Sequence, residues 1–585
     1  MYSLSTSIVS SPDSPALDNS SLVQPRSSIA GLAASNPTIL SVTADRALLA
    51  SRAADPRTGV SEAMKQLRTS TTFCLASLPL LAVIGISLLG AGCSGWGKAD
   101  APDSRSDRAD GSKSRLVAQN DGQPKVAASE SNSIDRPETS PDTQPPGSPP
   151  KGDIGTRTQG VDWPTFLGPN ADSNSPETGL PMTWPDDGPR IVWQKRLGEG
   201  YGIGSVSRGR FYQLDRIGDE ARLLCMNAET GTTLWTFPYD THYRDLYDYD
   251  GGPRCSPVID GKRVYIYGVE GMLYCLNAES GDEIWKVDTA ARYGVVQNFF
   301  GVGSTPVIEN DLLLVMVGGS PAESRRVPPG RLDLVEPNGS AVVAFDKMTG
   351  EERYRVGDDL ASYASLKLAT IDGRRWCFAF AREGLLGLDP ASGKIDFHYP
   401  WRSRILESVN ASMPVVVGDE VFISETYGPG SSLLKVRTGG YDVVWKDDER
   451  RREKALQCHW NTPIYLDGYL YGCSGRHTEN GELRCIDWKT GEVKWSEPEL
   501  SRTSLLYVDG HFVCMGEYGT IHLLKANPEK FEEVARWTLR EQFPAANAGA
   551  PLLRYPCWAA PILSHGLLYV RGRDRLVCLE LIPEG

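Results

Sequence analysis

One motif recurs through the second part of the chain and restricts its fold more than any other feature of the sequence. Each copy runs from an apolar strand to Asn or Asp, passes through a short turn that ends in Gly, and reaches an aromatic residue four positions later. The Asn or Asp ends a strand, the Gly supplies a positive-φ turn, and the aromatic residue lies on the packing face of the next strand. Five copies keep this spacing, and their aromatic residues are Trp235, Trp285, Tyr354, Phe397 and Trp495. A looser sixth copy ends at Trp445.

The period of the motif predicts the number of repeats. A further hairpin precedes each copy, as in residues 256–267, and four strands per repeat are typical of a β-propeller blade. Gly231 and Gly491 lie 260 residues and five repeats apart, which is a period of 52 residues. We therefore predict an all-β protein with a single eight-bladed propeller of four-stranded antiparallel blades, and seven blades as the alternative. Residues 190–195 are expected to supply the outer strand of the last blade and close the ring.

The repeat also carries a resemblance to a known family. The pattern (Asn/Asp)-Ala-x-(Thr/Ser)-Gly-x-x-x-Trp resembles the tryptophan-docking motif of PQQ-like, quinoprotein-type propellers, which include quinoprotein alcohol dehydrogenases and the outer-membrane assembly lipoprotein BamB. The resemblance covers roughly residues 161–585, and residues 163–170 and 296–303 are similar to secreted propellers of planctomycete-type bacteria. It implies the fold but leaves the function open, because this fold carries enzymes and scaffolds alike.

The first 160 residues differ from the rest, with one of the 14 Trp and none of the seven His. Residues 64–93 join a short basic segment, an apolar run and small residues ending at Cys93, which is typical of an export signal. This end resembles a lipobox, in which Cys93 becomes lipidated, although Gly90 stands where Leu is usual; ordinary cleavage and an uncleaved anchor are the alternatives. Translation is then expected to start at Met64, with residues 1–63 a disordered upstream mis-start.

A linker and the propeller complete the predicted organisation. Residues 94–160 are rich in Pro and charge and almost without large apolar residues, so they are predicted to be a disordered tether. Residues 161–585 are the PQQ-like β-propeller. The signal places the protein outside the cytoplasm, in the periplasm or cell envelope, and a lipid on Cys93 would anchor it to the membrane.

Charge and motif content exclude several functional classes. The net charge is -13, and because residues 1–93 carry +1 and residues 94–160 carry -1, this charge belongs to the propeller. An acidic body argues against a nucleic-acid partner. No CxxC pair or HExxH motif occurs, so no metal site is predicted.

The resemblance to quinoprotein dehydrogenases raises the question of enzymatic activity. It implies a quinone on a Trp floor, calcium held by Glu, Asn or Asp, an Asp base, and a lid made by a disulfide between adjacent cysteines. The chain has no Cys-Cys dipeptide and no C-x-x-C-H haem motif. We therefore favour a non-catalytic protein without a cofactor, and keep PQQ with calcium as the alternative. Cys473 and Cys485 are the best-placed pair for a disulfide across one hairpin.

Ligand-binding candidates come from the geometry of a propeller. The innermost strands surround the central funnel, and here they begin near a recurring proline, as at Pro257 and Pro463. Residues just before these strands, or at the ends of second strands, are expected to face the funnel: Arg254, Asn410, Glu425, His459, Trp460, Asn461, Arg476, His477, Glu517 and Trp558. Aromatic, cationic and amide groups around one axis suit a small polar ligand. The alternative is that they only satisfy strand ends and fill the channel.

Two other features bear on function. Residues 239–250 hold four Asp and four Tyr; we expect a solvated rim loop, and a calcium site is the alternative. Three hypotheses follow for the whole protein. The first is an envelope-tethered, non-catalytic scaffold that binds proteins, with an outer-membrane barrel as partner, as the resemblance to BamB implies. The second is a PQQ-dependent periplasmic oxidoreductase of alcohols or sugars, and the third is a propeller that binds a small ligand or glycan.

Overall fold

A computed structural model describes residues 152–584 except residues 248, 448–452 and 542–548. The expectations for the mis-start, the export signal, Cys93 and most of the linker concern residues outside the described ranges. Within those ranges, no helix has both the length and the apolar character needed to cross a membrane. Residues 152–160, at the end of the predicted linker, contact the propeller: the Glu229 side chain accepts a hydrogen bond from the backbone N–H of Thr156 (2.5 Å).

Eight four-stranded antiparallel sheets form the fold, which confirms the eight-bladed propeller. Each sheet is one blade, and in blades 1 to 7 the four antiparallel strands follow one another along the chain from the innermost to the outermost. Blades 1 to 4 consist of Ser205–Ser207, Arg210–Ile217, Glu220–Asn227 and Thr233–Asp240; Val258–Asp260, Arg263–Tyr267, Met272–Asn277 and Glu283–Asp288; Val307–Glu309, Leu312–Met316, Val342–Asp346 and Glu352–Val356; and Lys367–Ile371, Arg374–Phe380, Gly384–Leu388 and Ile395–Pro400.

The second half of the ring repeats this order. Blades 5 to 8 consist of Val415–Val417, Glu420–Glu425, Gly430–Arg437 and Gly440–Lys446; Ile464–Leu466, Tyr469–Ser474, Glu482–Asp487 and Val493–Glu497; Thr503–Val508, His511–Gly516, Thr520–Lys525 and Glu533–Thr538; and Ile562–Ser564, Leu567–Arg571, Arg575–Glu580 and Arg190–Arg196. Asn174–Ser175 adds a parallel fifth strand to blade 7. The helices are short: Thr289–Tyr293 is α-helical, and Ala322–Arg326, Leu332–Leu334, Thr478–Asn480 and Pro498–Leu500 are 3-10 turns.

The repeated motif forms the turn between the third and the outermost strand. In blade 1 the Asn227 side chain accepts hydrogen bonds from the backbone N–H groups of Glu229 and Thr230 (3.0 and 2.9 Å), and Gly231 has a φ of 70°. The motif aromatics pack on turn glycines of the next blade: Trp235 on Gly281, Trp285 on Gly350, Tyr354 on Gly393 and Trp445 on Gly491. A Cβ atom at these glycines would lie 2.6–3.0 Å from the ring, so glycine is needed there for contact as well as for φ.

Two of the six motif aromatics pack differently. The indole of Trp495 donates to the carbonyl of Asn527 in blade 7 (2.9 Å), whose turn has no glycine. Phe397 packs against Gly387 of its own blade and against Tyr441 of blade 5, with ring centroids 5.2 Å apart. Blades 1 to 4 and blade 6 therefore share the motif spacing, but the contact that the aromatic residue makes differs between them.

The ring closes through a strand from the N-terminal side, as the sequence predicts. Arg190–Arg196 pairs antiparallel with Arg575–Glu580 and becomes the outermost strand of blade 8. Its Trp193 packs on Gly231 of blade 1, and the indole N–H donates to the carbonyl of Ala228 (2.8 Å). Blade 8 thus combines a strand from the N-terminal side with three strands from the C-terminal side. Trp193 connects this blade to blade 1.

A segment that the repeat does not predict closes one end of the central channel. Residues 161–175, here called the plug, form hydrogen bonds with the innermost strands of five blades: Trp163 with Val206, Pro164 with Ile259, Asn170 and Ala171 with Lys367, Ser173 with Tyr507, and Val161 with Ser564. Because the innermost strands surround the axis, a segment bonded to five of them crosses it. The tight path requires positive φ at Leu167, Ala171 and Ser173 (60°, 51° and 57°).

The cysteines do not pair as the sequence suggested. Cys473 lies opposite Leu483, and Cys485 lies opposite Tyr471, so the two thiols are not cross-strand neighbours. Both are free and buried, as are the other eight described cysteines. The disulfide expectation was wrong because the hairpin register places them two positions out of step; they act as small apolar core residues.

Candidate functional site

The central channel contains a funnel-shaped cavity of about 280 Å³. All eight blades contribute to its wall, mainly through the connections that lead into the innermost strands. The plug forms the floor with Phe166, Leu167 and Ser173, so the cavity opens at one end of the propeller axis. A closed floor and a wall built by every blade make this cavity the candidate ligand site.

Aromatic rings line much of the wall and continue to the surface. The ring centroids of Trp460 and Trp558 are 4.7 Å apart, and Tyr201 lies 4.9 Å from Trp558. Tyr555 follows at 5.9 Å, and Tyr518, which is 55% exposed, stacks on it at 5.2 Å. A continuous row of rings therefore connects the cavity with the exposed rim of the propeller.

Three arginines approach the rings, and two of them are neutralised. Arg502 lies over both Trp460 and Trp558, with 4.7 and 5.2 Å from its guanidinium carbon to the ring centroids. Its guanidinium donates to the buried carboxylate of Glu517 (2.6 Å). Arg254 lies 5.4 Å from the Tyr201 centroid and pairs with Asp245 (2.9 Å). These pairs fix the rings through cation–π contacts and add no net charge.

Arg476 is the exception. Its guanidinium carbon lies 4.3 Å from the ring centroid of Tyr427, and it has no carboxylate partner among the described residues. No Asp or Glu belongs to the described part of the cavity lining. The described part of the wall therefore carries one uncompensated arginine charge.

Two wall residues hold buried polar atoms without partners. Within the described ranges, Nε1 of Trp460 and Nδ1 of His459 are buried and form no hydrogen bond, while Nε2 of His459 lies 3.2 Å from the Tyr427 hydroxyl. Burial, together with the Arg502 and Arg476 charges, lowers the pKa of His459 to about 3, so this imidazole stays neutral. Both residues also line the cavity, so their ring surfaces, and not these closed-off nitrogen atoms, are what a ligand would contact.

The structure brings most of the predicted residues to this cavity. Seven of the ten line it: Arg254, His459, Trp460, Asn461, Arg476, His477 and Trp558. Glu517 stands behind the wall and holds Arg502 and the Trp558 indole (3.3 Å). Glu425 is buried, accepts a hydrogen bond from the Gly428 backbone N–H (3.0 Å), and has a pKa raised to about 7 by burial.

Asn410 does not reach the cavity. Its side chain donates to the carbonyls of Ala381 and Trp401 (2.7 and 3.3 Å) and braces the connection between blades 4 and 5. Asn410 therefore only satisfies the backbone at strand ends, which is the alternative that the sequence left open.

Other wall residues escaped the sequence prediction. The missed residues are Tyr201, Tyr249, Phe300, Tyr363, Tyr427 and Arg502. Arg502 directly precedes the innermost strand of blade 7, a position that would have revealed it if that blade carried the marker proline. Tyr249 and Asp245 belong to the loop expected to be solvated, yet Tyr249 lines the cavity and the Asp245 side chain is 1% exposed.

The donor set of the cavity does not fit a calcium-bound quinone. Calcium takes six to eight oxygen ligands, carboxylates foremost, and the described lining supplies no carboxylate. No group of three or more His, Cys, Asp or Glu within the described ranges could hold a metal. A quinone with several carboxylates would also meet a single unpaired cation, Arg476. The residues therefore suit a smaller and less charged ligand.

Comparisons with known proteins agree with the fold. The model of the family described as outer membrane protein assembly factor BamB matches residues 219–497. The chain is thus a PQQ-like β-propeller repeat protein. No curated protein matches it in sequence.

Solved structures resemble the chain at low identity. BamB from Moraxella catarrhalis is 14% identical, with 67% of this chain and 97% of that chain covered and a TM-score of 0.43. The quinohemoprotein alcohol dehydrogenase from Comamonas testosteroni is 12% identical, with 72% and 81% covered and a TM-score of 0.48.

Proposed function

We propose that this protein is an exported, non-catalytic propeller that binds a small ligand in its axial funnel. The observation that carries the proposal is the combination of a closed floor, an aromatic wall and the guanidinium of Arg476, which has no carboxylate partner among the described residues. Aromatic side chains supply apolar contact area, and a few polar groups fix orientation, as in small-molecule sites generally. The export signal predicted in residues 64–93 and the lipid expected on Cys93 support a location in the cell envelope.

The rigidity of the cavity wall favours ligand binding over the alternative that these side chains only fill the channel. The plug and the innermost strands are tied by hydrogen bonds on five sides, and the Arg502–Glu517 pair holds Trp460 and Trp558 in place. A preorganised site loses little entropy when a ligand enters. Side chains that only filled the channel would be expected to consume the space, whereas here a cavity of about 280 Å³ remains.

The test is a titration of the purified full-length chain with a panel of sugars, sugar acids and aromatic acids, followed by tryptophan fluorescence and calorimetry. Trp460→Leu should abolish saturable binding, and Trp460→Phe should weaken it, because Phe keeps a ring in the wall but a smaller one. Arg404→Gln is the matched control, since Arg404 is exposed on a connection of the same kind and lies outside the cavity. Equal titrations for wild type and Trp460→Leu would refute the proposal.

A protein-binding scaffold in the envelope is the second candidate. The match to the BamB family model over residues 219–497 favours it, and an outer-membrane β-barrel would then be the partner. Its test is cross-linking in cells that produce the tagged full-length chain, with and without Tyr518→Ser and Tyr555→Ser on the exposed rim. Specific recovery of one barrel protein that these variants reduce would support the scaffold; recovery that is unchanged in the variants would count against this rim as the contact surface.

A further inference from the structure

The ligand class can be derived from three properties of the funnel. They are its single uncompensated charge, its flat aromatic wall and its volume. The derivation rests on the proposed function, because it assumes that the funnel holds a small ligand.

The charge points to one anionic group on the ligand. Of the three arginines at the wall, Arg254 is paired with Asp245 and Arg502 with Glu517, so only Arg476 is left with its full charge among the described residues. A guanidinium presents parallel N–H donors that match a carboxylate, and such charge-assisted hydrogen bonds are about twice as strong as neutral ones. With no acidic residue in the described lining, nothing there repels an anion.

The wall points to a ring. Tyr427 carries Arg476, His459 lies 5.7 Å from Tyr427, Trp460 lies 5.0 Å from His459, and Trp558 lies 4.7 Å from Trp460, all measured between ring centroids. The unpaired charge thus stands at one end of a run of flat side chains. A ligand that reaches Arg476 with a carboxylate therefore lays its body along aromatic surface.

The volume limits the size of the ligand. The cavity of about 280 Å³ is at the lower limit for small-molecule sites, so the ligand has about one or two rings.

We infer that the funnel binds a ring compound bearing a single carboxylate. Arg476 holds the carboxylate, and Trp460 and Trp558 contact the ring. A sugar acid and an aromatic acid share this chemistry.

Calorimetry on the full-length chain separates the contribution of the carboxylate to binding from that of the ring. The probes are glucuronate and benzoate, each matched with an uncharged partner, glucose and benzyl alcohol. At least one carboxylate should bind 10-fold or more tightly than its partner. Arg476→Gln should weaken that carboxylate by about 10- to 100-fold and leave the uncharged compounds unchanged, while Arg404→Gln should change neither. Thermal unfolding of Arg476→Gln verifies that it folds.

Each outcome is informative. Tighter binding of glucuronate identifies a sugar acid, tighter binding of benzoate identifies an aromatic acid, and either supports the inference. Binding of an uncharged ring as tightly as its acid, lost in Trp460→Leu but kept in Arg476→Gln, overturns the carboxylate and leaves the proposed function intact. Absence of binding by all four probes together with a negative wider panel overturns both.

Discussion

Replacing Trp193 tests how the ring is held closed. Trp193 is 8% exposed, packs on Gly231, and donates to the Ala228 carbonyl, which also accepts the Tyr569 hydroxyl (3.1 Å). Trp193→Phe keeps a ring in place and leaves the carbonyl with one donor, so it should cost about 1–2 kcal/mol of unfolding free energy. Trp193→Ala empties the site and should cost about 3–5 kcal/mol.

Trp285 offers a matched control within the same chain. It is 9% exposed, and its indole shares the Lys347 carbonyl with the Tyr265 hydroxyl (3.2 and 3.0 Å). Its strand, however, is continuous with its own blade, whereas Arg190–Arg196 is recruited from far along the chain. Urea unfolding should give similar losses for the two Ala variants, while hydrogen exchange in Arg575–Glu580 should increase only in Trp193→Ala. Unchanged exchange in that strand, or a loss below about 1 kcal/mol, would refute this account of closure.

Three further predictions concern buried charges. Burial lowers the pKa of Lys367 from 10.5 to about 8, so between these pH values only the unfolded chain keeps the proton. The unfolding free energy of the wild type should therefore rise by up to about 3 kcal/mol relative to that of Lys367→Met as the pH increases across this interval. Burial raises the pKa of Glu425 from 4.5 to about 7, so between these pH values only the folded chain keeps the proton. The unfolding free energy of the wild type should therefore fall by up to about 3 kcal/mol relative to that of Glu425→Gln as the pH increases across that interval. Urea unfolding against pH checks both, and a flat difference contradicts them. Glu517→Gln should cost about 3–5 kcal/mol at neutral pH by leaving Arg502 buried and unpaired, and the double variant with Arg502→Met should recover most of it; equal losses in both would show that the charge is not the cause.

The repeated parts of the fold are predictable because local chemistry repeats with them. The Asn or Asp, the turn Gly and the aromatic residue recur at fixed spacing, so they give the blade count, the strand order and the closing strand. Contacts between blades are less predictable, since Phe397 has the motif spacing but faces a turn with no glycine contact.

The candidate site likewise contains residues that the repeat predicts and residues that it does not predict. Residues at repeat-equivalent positions, such as Trp460 and Trp558, can be found from the prolines that precede the innermost strands. Tyr249 and Phe300 lie on connections of irregular length, where no period indicates their direction. The plug occurs once and has no counterpart in another blade, so its contacts with five blades are visible only in the folded protein.

The body and the funnel carry opposite charges, and this difference predicts how salt changes the rates of ligand binding. The body carries -13 and repels an approaching anion at long range, whereas Arg476 attracts it at short range. The Debye length falls from about 10 Å at 0.1 M salt to about 3 Å at 1 M, so added salt should screen the distant repulsion and speed association of a carboxylate ligand. The half-buried contact with Arg476 is screened less, so dissociation should speed up only modestly. Stopped-flow fluorescence with the carboxylate identified by calorimetry should therefore show an association rate that rises with salt, and Arg476→Gln should keep this rise while dissociating faster. An association rate that falls with salt would mean that the field at the funnel mouth is positive, and that the acidity of the body does not reach it.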